Sequence, residues 1–465
     1  MHLVNSTTDW LKRILFVSFS LFSFTALHAQ ENSPYSRYGL GDIVPGQNII
    51  NRGMGGVSAA YSDYGLVGSP FNLNITNPAS LGNLSNSRNY SNTIFDFGGE
   101  VDIRTLRSTT STEKYKATNA VISYLQVGFP ISTRKMENKG MTWGLSFGLK
   151  PLTRINYKIE QNGRLSTIDS INTLFEGSGG VNQVNVSTGF RKVGKGARKN
   201  EFSIGFSTGY TFGTKDYSTR TSLVNDTVAY YRSNLEVQSR FGGLFLNTGI
   251  QYQINTANAG VLRVGLYANL QQKLDARQST INETFATDGT GSYITIDSVS
   301  KTNDVKGEVI IPATFGTGFT YQTKKKRWLL GADFEYTAWN GYRYYNDKDI
   351  VANSWIIKAG AEFTPPVKAN SKYWSNVKYR AGFYFGPDYI KLGKTRNQYA
   401  ATVGASFPLT TPKSITFRGD YVALNTSIEA GGRGNKQSIG LRENFIRINF
   451  GISMNARWFQ KRKYD

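Results

Sequence analysis

The chain has 465 residues, among them 48 Gly, 28 Phe, 27 Tyr and no Cys, and a formal net charge of +22. It is too polar on average for a helical membrane protein and too rich in apolar and aromatic residues for disorder. The lack of cysteine excludes a disulfide framework, a thiolate metal site and a lipid-modified N-terminal cysteine.

Residues 1–29 read as a secretory signal peptide. Lys12 and Arg13 form its basic region, 14–27 its apolar run, and Ala29 the small residue before cleavage. The run is shorter than the roughly 20 residues a spanning helix needs. His2 and His28 both fall in this leader, so the exported chain is expected to carry no histidine. That removes Ser-His triads, zinc-histidine sites and histidine bases, and no enzyme, cofactor or metal site is expected. An exported chain of this charge meets anionic lipid rather than nucleic acid.

Residues 30–88 are rich in Gly, Pro, Ser and Asn, and are either a disordered leader or a plug folded inside a lumen. Two stretches favour the plug. "NRGMGGVSAAYSD" (51–63) has a glycine cluster followed by small residues, which suits close backbone packing. "TNPASLGNL" (76–84) starts at an Asn-Pro turn and opens a short helix with Pro78 in its first turn. "RGMGGV" is not a dinucleotide fingerprint: no strand feeds it and its third glycine position is Ser58.

From about 89 to 459 the chain alternates. In "MTWGLSFGL" (141–149), Met, Trp, Leu, Phe and Leu face one way and Thr, Gly, Ser and Gly the other; "EFSIGFSTGYTFG" (201–213) and "ENFIRINFGISMNARWF" (443–459) repeat the pattern. Period-2 alternation over nine or more residues marks strands with one apolar face. Sandwich strands average five or six residues, whereas strands that cross a bilayer need about 9–11. Connections alternate short and long in phase along the chain, with long ones near 153–180, 215–240 and 272–306. The expected fold is therefore all-β: a transmembrane antiparallel β-barrel of about fourteen strands with the N-terminal plug or hatch in its lumen, short turns in the periplasm and long loops outside. Residues 460–465 form a basic periplasmic tail.

The short turns collect Arg134, Lys135, Lys139, Arg191, Lys192, Lys195, Arg198, Lys199, Lys324, Lys325, Lys326 and Arg327. This rim either meets anionic phospholipid or docks an acidic periplasmic protein. On the polar faces, Asp333, Glu335, Lys358, Glu362, Arg418, Asp420, Arg447 and Arg457 are expected to point into the lumen, as a ladder of salt bridges or as a polar wall along a permeation path. Tyr230, Tyr231, Tyr342, Tyr344 and Tyr345 fall in expected outer loops, as interface-belt or ligand-contacting residues.

A signal peptide, then "RGMGGVSAAYSD", "NPASL" and about fourteen amphipathic strands resembles the FadL-type outer-membrane transporters of long-chain fatty acids and aromatic hydrocarbons. Asn77, Pro78 and Ala79 match that family's NPA hatch motif, preceded here by Arg52, Gly53, Gly55 and Gly56. The resemblance implies a hydrophobic small-molecule ligand, an outer low-affinity groove, a lumenal pocket, a movable hatch and lateral escape through a gap in the wall. It places the chain in a Gram-negative outer membrane, among phospholipid and lipopolysaccharide. The leader "SPYSRYGLGD" is similar to a Bacteroidetes subgroup that includes PorV-like barrels of type IX secretion, for which a surface or periplasmic protein is the partner. Transport predicts an apolar lumenal pocket and a kinked wall strand; interaction predicts an exposed apolar patch on the outer loops.

Overall fold

The computed structural model describes residues 33–63, 72–84, 93–108, 114–164, 170–224, 231–256, 260–288, 293–366, 372–393, 396–410, 421–434 and 441–456. The expected signal peptide and basic tail, with Arg418, Asp420, Arg457 and Tyr230, lie outside these residues.

Fourteen strands form the wall. They are β1 (Thr93–Ser108), β2 (Lys114–Pro130), β3 (Met141–Arg164), β4 (Ser170–Val193), β5 (Glu201–Val224), β6 (Arg232–Thr256), β7 (Gly260–Asn269 continued by Gln272–Thr287) and β8 (Tyr293–Ile311 continued by Thr314–Thr323). Then come β9 (Trp328–Thr337), β10 (Ser354–Phe363), β11 (Lys378–Pro387), β12 (Asn397–Pro408), β13 (Tyr421–Arg433) and β14 (Leu441–Ala456). Each pairs antiparallel with its neighbour, and β14 pairs with β1 from Leu441 opposite Ser108 to Ala456 opposite Thr93, which closes the barrel.

The burial pattern inverts that of a water-soluble sheet. On β14, Ile446, Ile448 and Ile452 are exposed while Arg447, Asn449, Ser453 and Asn455 are buried. Apolar side chains face outward and polar ones inward, as lipid requires. Exposed aromatics ring both ends of this band: Trp143, Phe202, Tyr252 and Trp328 by the short turns, and Phe212, Trp355 and Tyr399 at the far end.

The wall is uneven in height. β9, β10 and β11 have 10 residues each, enough to cross the membrane, whereas β3, β4 and β5 have 24 each. Much of what the sequence suggests to be long loops is hydrogen-bonded strand, so β3–β8 rise as a tall outer sheet. Their Thr, Ser, Asn and Val side chains suit a strand wetted on both faces, which lacks the apolar stripe that period-2 reading depends on. Tyr342 and Tyr344 are not exposed loop aromatics either. The loop after β9 folds over the mouth, where Tyr342 is fully buried with Trp339, Tyr389, Ile390, Tyr35 and Leu40, and Tyr344 packs at the edge of that cluster.

Irregularities have local causes. β7 and β8 break opposite each other, at 270–271 and at Pro312, which has no N–H to give the ladder. Pro151 starts a bulge in β3, and β2 carries another opposite Gly98 and Gly99. Where these bulges fall, β2 and β3 part: they pair only over residues 125–130 and 144–149.

Residues 33–63 and 72–84 lie within the wall as short pieces: 3-10 turns Pro34–Arg37 and Pro78–Asn83, a helical turn Ile49–Arg52, and Asp42–Ile43 paired with Arg154 and Thr153 of β3. They sit against rows of glycine. Gly144, Gly189, Gly205 and Gly249 face one another across β3–β6, and Gly331, Gly360 and Gly382 across β9–β11. A Cβ on Gly189 would lie 2.6 Å from the Pro78 carbonyl oxygen, and one on Gly205 would overlap the Pro78–Ala79 peptide. Gly205→Ala should therefore leave the barrel formed, as read by heat-modifiable gel mobility, while trypsin cuts after Arg52 severalfold faster. Overpacking here should cost about 1–3 kcal/mol, and an unchanged cleavage rate would show that the segment is not seated on this row.

Candidate functional site

The site is the contact between the N-terminal segment and the inner wall. Asn48 opens the helical turn Ile49–Arg52, its side-chain oxygen accepting from the Asn51 N–H at 2.8 Å. The turn delivers Arg52, buried to 2 %, into the lumen, where Nη1 lies 2.6 Å from Glu100 of β1 and Nε 2.5 Å from Glu429 of β13. Arg447 of β14 links this triad to the next, 3.6 Å from Glu429 and 3.3 Å from Asp102. Arg104 pairs with Asp102 at 2.7 Å and also with Asp42. Arg433 then binds Asp42 and Glu443, each at 2.9 Å. The result is a continuous buried chain of alternating charge that holds Asp42 and Arg52 to β1, β13 and β14.

A second network lies by β9–β11. Arg380 binds Glu362 at 2.7 Å, and Lys378 reaches Glu362 at 3.6 Å and Asp63 of the segment at 3.5 Å. Lys358 binds Glu335 at 2.9 Å. Asp333 accepts from the Ser58 and Ala59 amides at 2.6 and 2.8 Å. Of the charged residues expected to face inward, Asp333, Glu335, Lys358, Glu362 and Arg447 thus all touch lumenal partners. The structure brings the first four onto one side and places Arg447 on the other.

Gly53, Gly55 and Gly56 carry the chain past β10–β12. Gly55 (φ 68°) and Gly56 (φ 86°) adopt a left-handed backbone, and a Cβ on Gly55 would lie 2.7 Å from the Ala359 carbonyl oxygen. Thr402 accepts from the Gly55 N–H at 2.9 Å and donates to the Gly53 carbonyl at 3.1 Å. Asn77 is fully buried as the cap of Pro78–Asn83, its oxygen accepting from the Ala79 N–H at 3.1 Å. Its amide donates to the carbonyls of Ala59 (2.6 Å), Leu266 (3.2 Å) and Ile250 (3.4 Å). One side chain so ties two parts of the segment to β6 and β7, and no other residue type offers donor and acceptor in this short fork.

Glu100, Asp102, Arg104, Glu429, Arg433, Glu443 and Asp42 are absent from the sequence-based set. The signal was present: Glu100, Asp102 and Arg104 stand two apart on β1, and Glu429 and Arg433 share a face of β13.

At the seam, the segment fills part of the free edge of β3. Asp42–Ile43 pairs with Arg154 and Thr153, the Val44 N–H donates to the Leu152 carbonyl at 2.9 Å, and the Ser36 hydroxyl accepts from the Asn156 N–H at 3.3 Å. Inside lies a cavity of about 190 Å³, with Leu40, Ile43, Val44, Leu152, Val181 and Trp339 on its apolar side. Outside lies a groove of about 700 Å³ with Ile122, Leu125, Leu149, Pro151 and Phe212 in its walls. Thr153 lines both. A third cavity of about 140 Å³ shares Ile43, Val44 and Glu335 with the first and has Arg52, Arg104, Glu429 and Arg433 among its lining.

Two outcomes follow. Arg52→Ala leaves Glu100 and Glu429 buried without their partner and should cost roughly 3–5 kcal/mol, read as a fall in the unfolding midpoint. Burial alone would raise the Asp42 carboxyl, but Arg104, Arg433 and Arg447 outweigh it and hold it well below the usual carboxylate range. Its pairing therefore stabilises the seated segment above the unfolded value of about 3.9 and is lost progressively as pH falls below that. Hydrogen-exchange protection at residues 41–44, taken relative to the intrinsic rate at each pH, should be high at pH 5–7 and fall below about pH 4. Asp42→Asn should already exchange fast at neutral pH, and equal rates in both proteins would remove Asp42 as the latch.

Solved structures with this fold include the CymD monoaromatic hydrocarbon channel (TM-score 0.52, 12% identity, 90% of this chain and 100% of that one). The P. putida toluene transporter TodX is similar (TM-score 0.51, 14% identity, 90% and 100%), as is a TodX monoaromatic hydrocarbon channel deltaS2 mutant (TM-score 0.52, 15% identity, 90% and 100%). At such identity they share the architecture. No curated protein sequence matches the chain. The BamG family model matches residues 10–465, nearly the whole length. The chain is an outer-membrane β-barrel and belongs to the BamG family.

Proposed function

We propose that the protein is a passive channel for small hydrophobic molecules, with residues 33–84 acting as a hatch and the seam between β2 and β3 as a sideways exit into the bilayer. The observation that carries this reading is the place of Thr153, which lines the inner cavity and the outer groove with β4 on one side and, on the seam side, the strand at residues 42–44. Apolar solutes favour such an exit because it spares them the polar outer leaflet surface. A cavity near 190 Å³ suits a solute of one or two rings, since one of roughly 150 Å³ takes benzene. Aromatic hydrocarbons are the substrate class we favour, with long-chain fatty acids threading the same path. The route we favour runs along the β3 side, where Leu152, Val181 and Trp339 give the cavity an apolar wall opposite Lys150 and Glu335. Displacing residues 42–44 breaks the short pairing with β3 and the Asp42 ion pairs, and the remaining networks keep the rest of the segment seated.

A second reading is a protein-interaction barrel of the secretion or surface-assembly kind. One observation favours it: the upper part of β8 pairs on one side with β7, while on the other it meets residues 343–345 from Val305 to Ile310, leaving Ile294, Ile296 and Val299 exposed along an edge above them. Such edges recruit strands from partners, though the three bulges in β8 blunt this one.

The absence of native cysteine allows a direct test. Ile43 and Thr153 are cross-strand partners, close enough for a disulfide. In Ile43→Cys/Thr153→Cys, oxidation should abolish uptake of radiolabelled toluene into cells and a reductant should restore it. Uptake indifferent to oxidation would sink the hatch-and-seam route. Stoichiometric capture of one surface protein, lost on Ile296→Lys, would favour the second reading.

A further inference from the structure

We infer that the cap over the mouth and the strand at the seam are one switch. Residues 339–353 and 388–393 cannot lift from Gly39 without loosening residues 42–44 from β3, and the seam strand cannot leave without loosening the cap. This is a property of the fold and stands whether or not a solute crosses the seam.

The cap consists of two loops held to each other. Val351 bridges Ile390, the Ala352 N–H donates to the Tyr389 carbonyl at 2.8 Å, and the Lys391 N–H donates to the Ile350 carbonyl at 3.1 Å. Both loops grip the segment around Gly39. The Gly39 N–H donates to Asp349 at 2.7 Å. Its carbonyl accepts from the Tyr342 hydroxyl at 3.2 Å and from the Lys215 ammonium of β5 at 3.1 Å. The Tyr389 hydroxyl donates to the Tyr38 carbonyl at 3.3 Å and also to that of Gly41. Leu40 is buried in the same apolar cluster as Trp339, Tyr342, Tyr389 and Ile390.

The seam begins at the next residue. Gly41 passes so close to β3 that a Cβ on it would lie 2.5 Å from the Arg154 carbonyl oxygen, and Asp42, Ile43 and Val44 then bond to the β3 edge. Three residues separate the cap's grip on Gly39 from the Asp42 rung, at most about 11 Å of chain if fully extended. They are not extended: Gly39 (φ 59°) and Gly41 (φ 97°) turn left-handed, and Leu40 between them is clamped in the cluster. No slack remains for one gate to move alone. The two also share an ion-pair partner, since Arg433 binds Asp42 at 2.9 Å and lies 3.8 Å from Asp388, the neighbour of Tyr389. Lifting the cap alone would leave the buried Gly39 N–H without its acceptor, a cost that is relieved when the strand follows. Anything that displaces the aromatic cap at the mouth is thereby an effector of the seam.

The test is hydrogen exchange on the full-length barrel at pH 7. Tyr342→Phe/Asp349→Ala removes the cap's two hydrogen bonds to Gly39 and alters no residue of the seam. Protection at residues 42–44 should fall about fivefold or more, the lower end of coupling between linked sites. The Ser58 and Ala59 amides, held by Asp333, should keep theirs. In the other direction, oxidising Ile43→Cys/Thr153→Cys alters no cap residue, yet it should raise protection of the Ala352 and Lys391 amides, and a reductant should reverse the gain. Unchanged protection at 42–44 in the cap variant overturns the proposal, as do cap amides indifferent to the seam disulfide. An equal fall at residues 58 and 59 also overturns it, since the whole segment would then be unseating. Neither readout needs a solute, so a seam that passes no toluene ends the channel reading alone.

Discussion

A backbone that crosses hydrocarbon must satisfy every N–H and C=O within itself, and the rest of this molecule follows from that constraint. It forces the wall to close, so β14 finds β1 across the whole length of both strands. It also sets the cost of any place where closure lapses. β2 and β3 separate only above residues 125 and 149, after bulges have turned both strands, and there the exposed edge of β3 is taken up by residues 42–44 from inside. The N-terminal segment thus completes the wall as well as filling the lumen. A barrel whose own plug supplies part of the missing ladder can open there only by moving the plug.

The lumen obeys a related rule. Charges taken out of water need partners, and the partners here alternate between the segment and the wall. Asp42, Arg52 and Asp63 each enter a network whose other members stand on strands. Their attraction offsets a large desolvation cost rather than adding much net stability, so what they confer is position: one seat for the segment among many sterically possible ones. The glycine rows add the steric half of that specification, because they let backbone meet backbone where side chains would hold the two apart.

Much of the barrel was legible in the residues. Alternation over nine or more positions marks Met141, Trp143 and Phe147 as lipid-facing, and Arg447 as lumenal, because lipid enforces the period so strictly. The outer halves of β3–β8 were not legible, since a sheet wetted on both faces has no stripe to read. Nor was the glycine girdle: Gly144, Gly189, Gly205 and Gly249 lie far apart in sequence and become a row only once register is known. Asn77 could be singled out by its motif, but its three carbonyl partners come from loops and strands that no spacing reveals. The Glu100–Arg52–Glu429 triad shows the same limit, for its members come from opposite ends of the chain.

The uneven height of the wall has a mechanical side. The sheet of β3–β8 stands more than ten residues above the short strands, about 40 Å of stiff cross-linked ribbon. It is rooted in the membrane on one side of the seam, and Gly179 (φ 128°) and Gly180 (φ 145°) stand at its base. A load applied to its tip acts through a long arm on a short one. Whatever touches the outer sheet, be it a neighbouring surface molecule or a bound protein, therefore bears on the same ribbon whose lower edge residues 42–44 pair with.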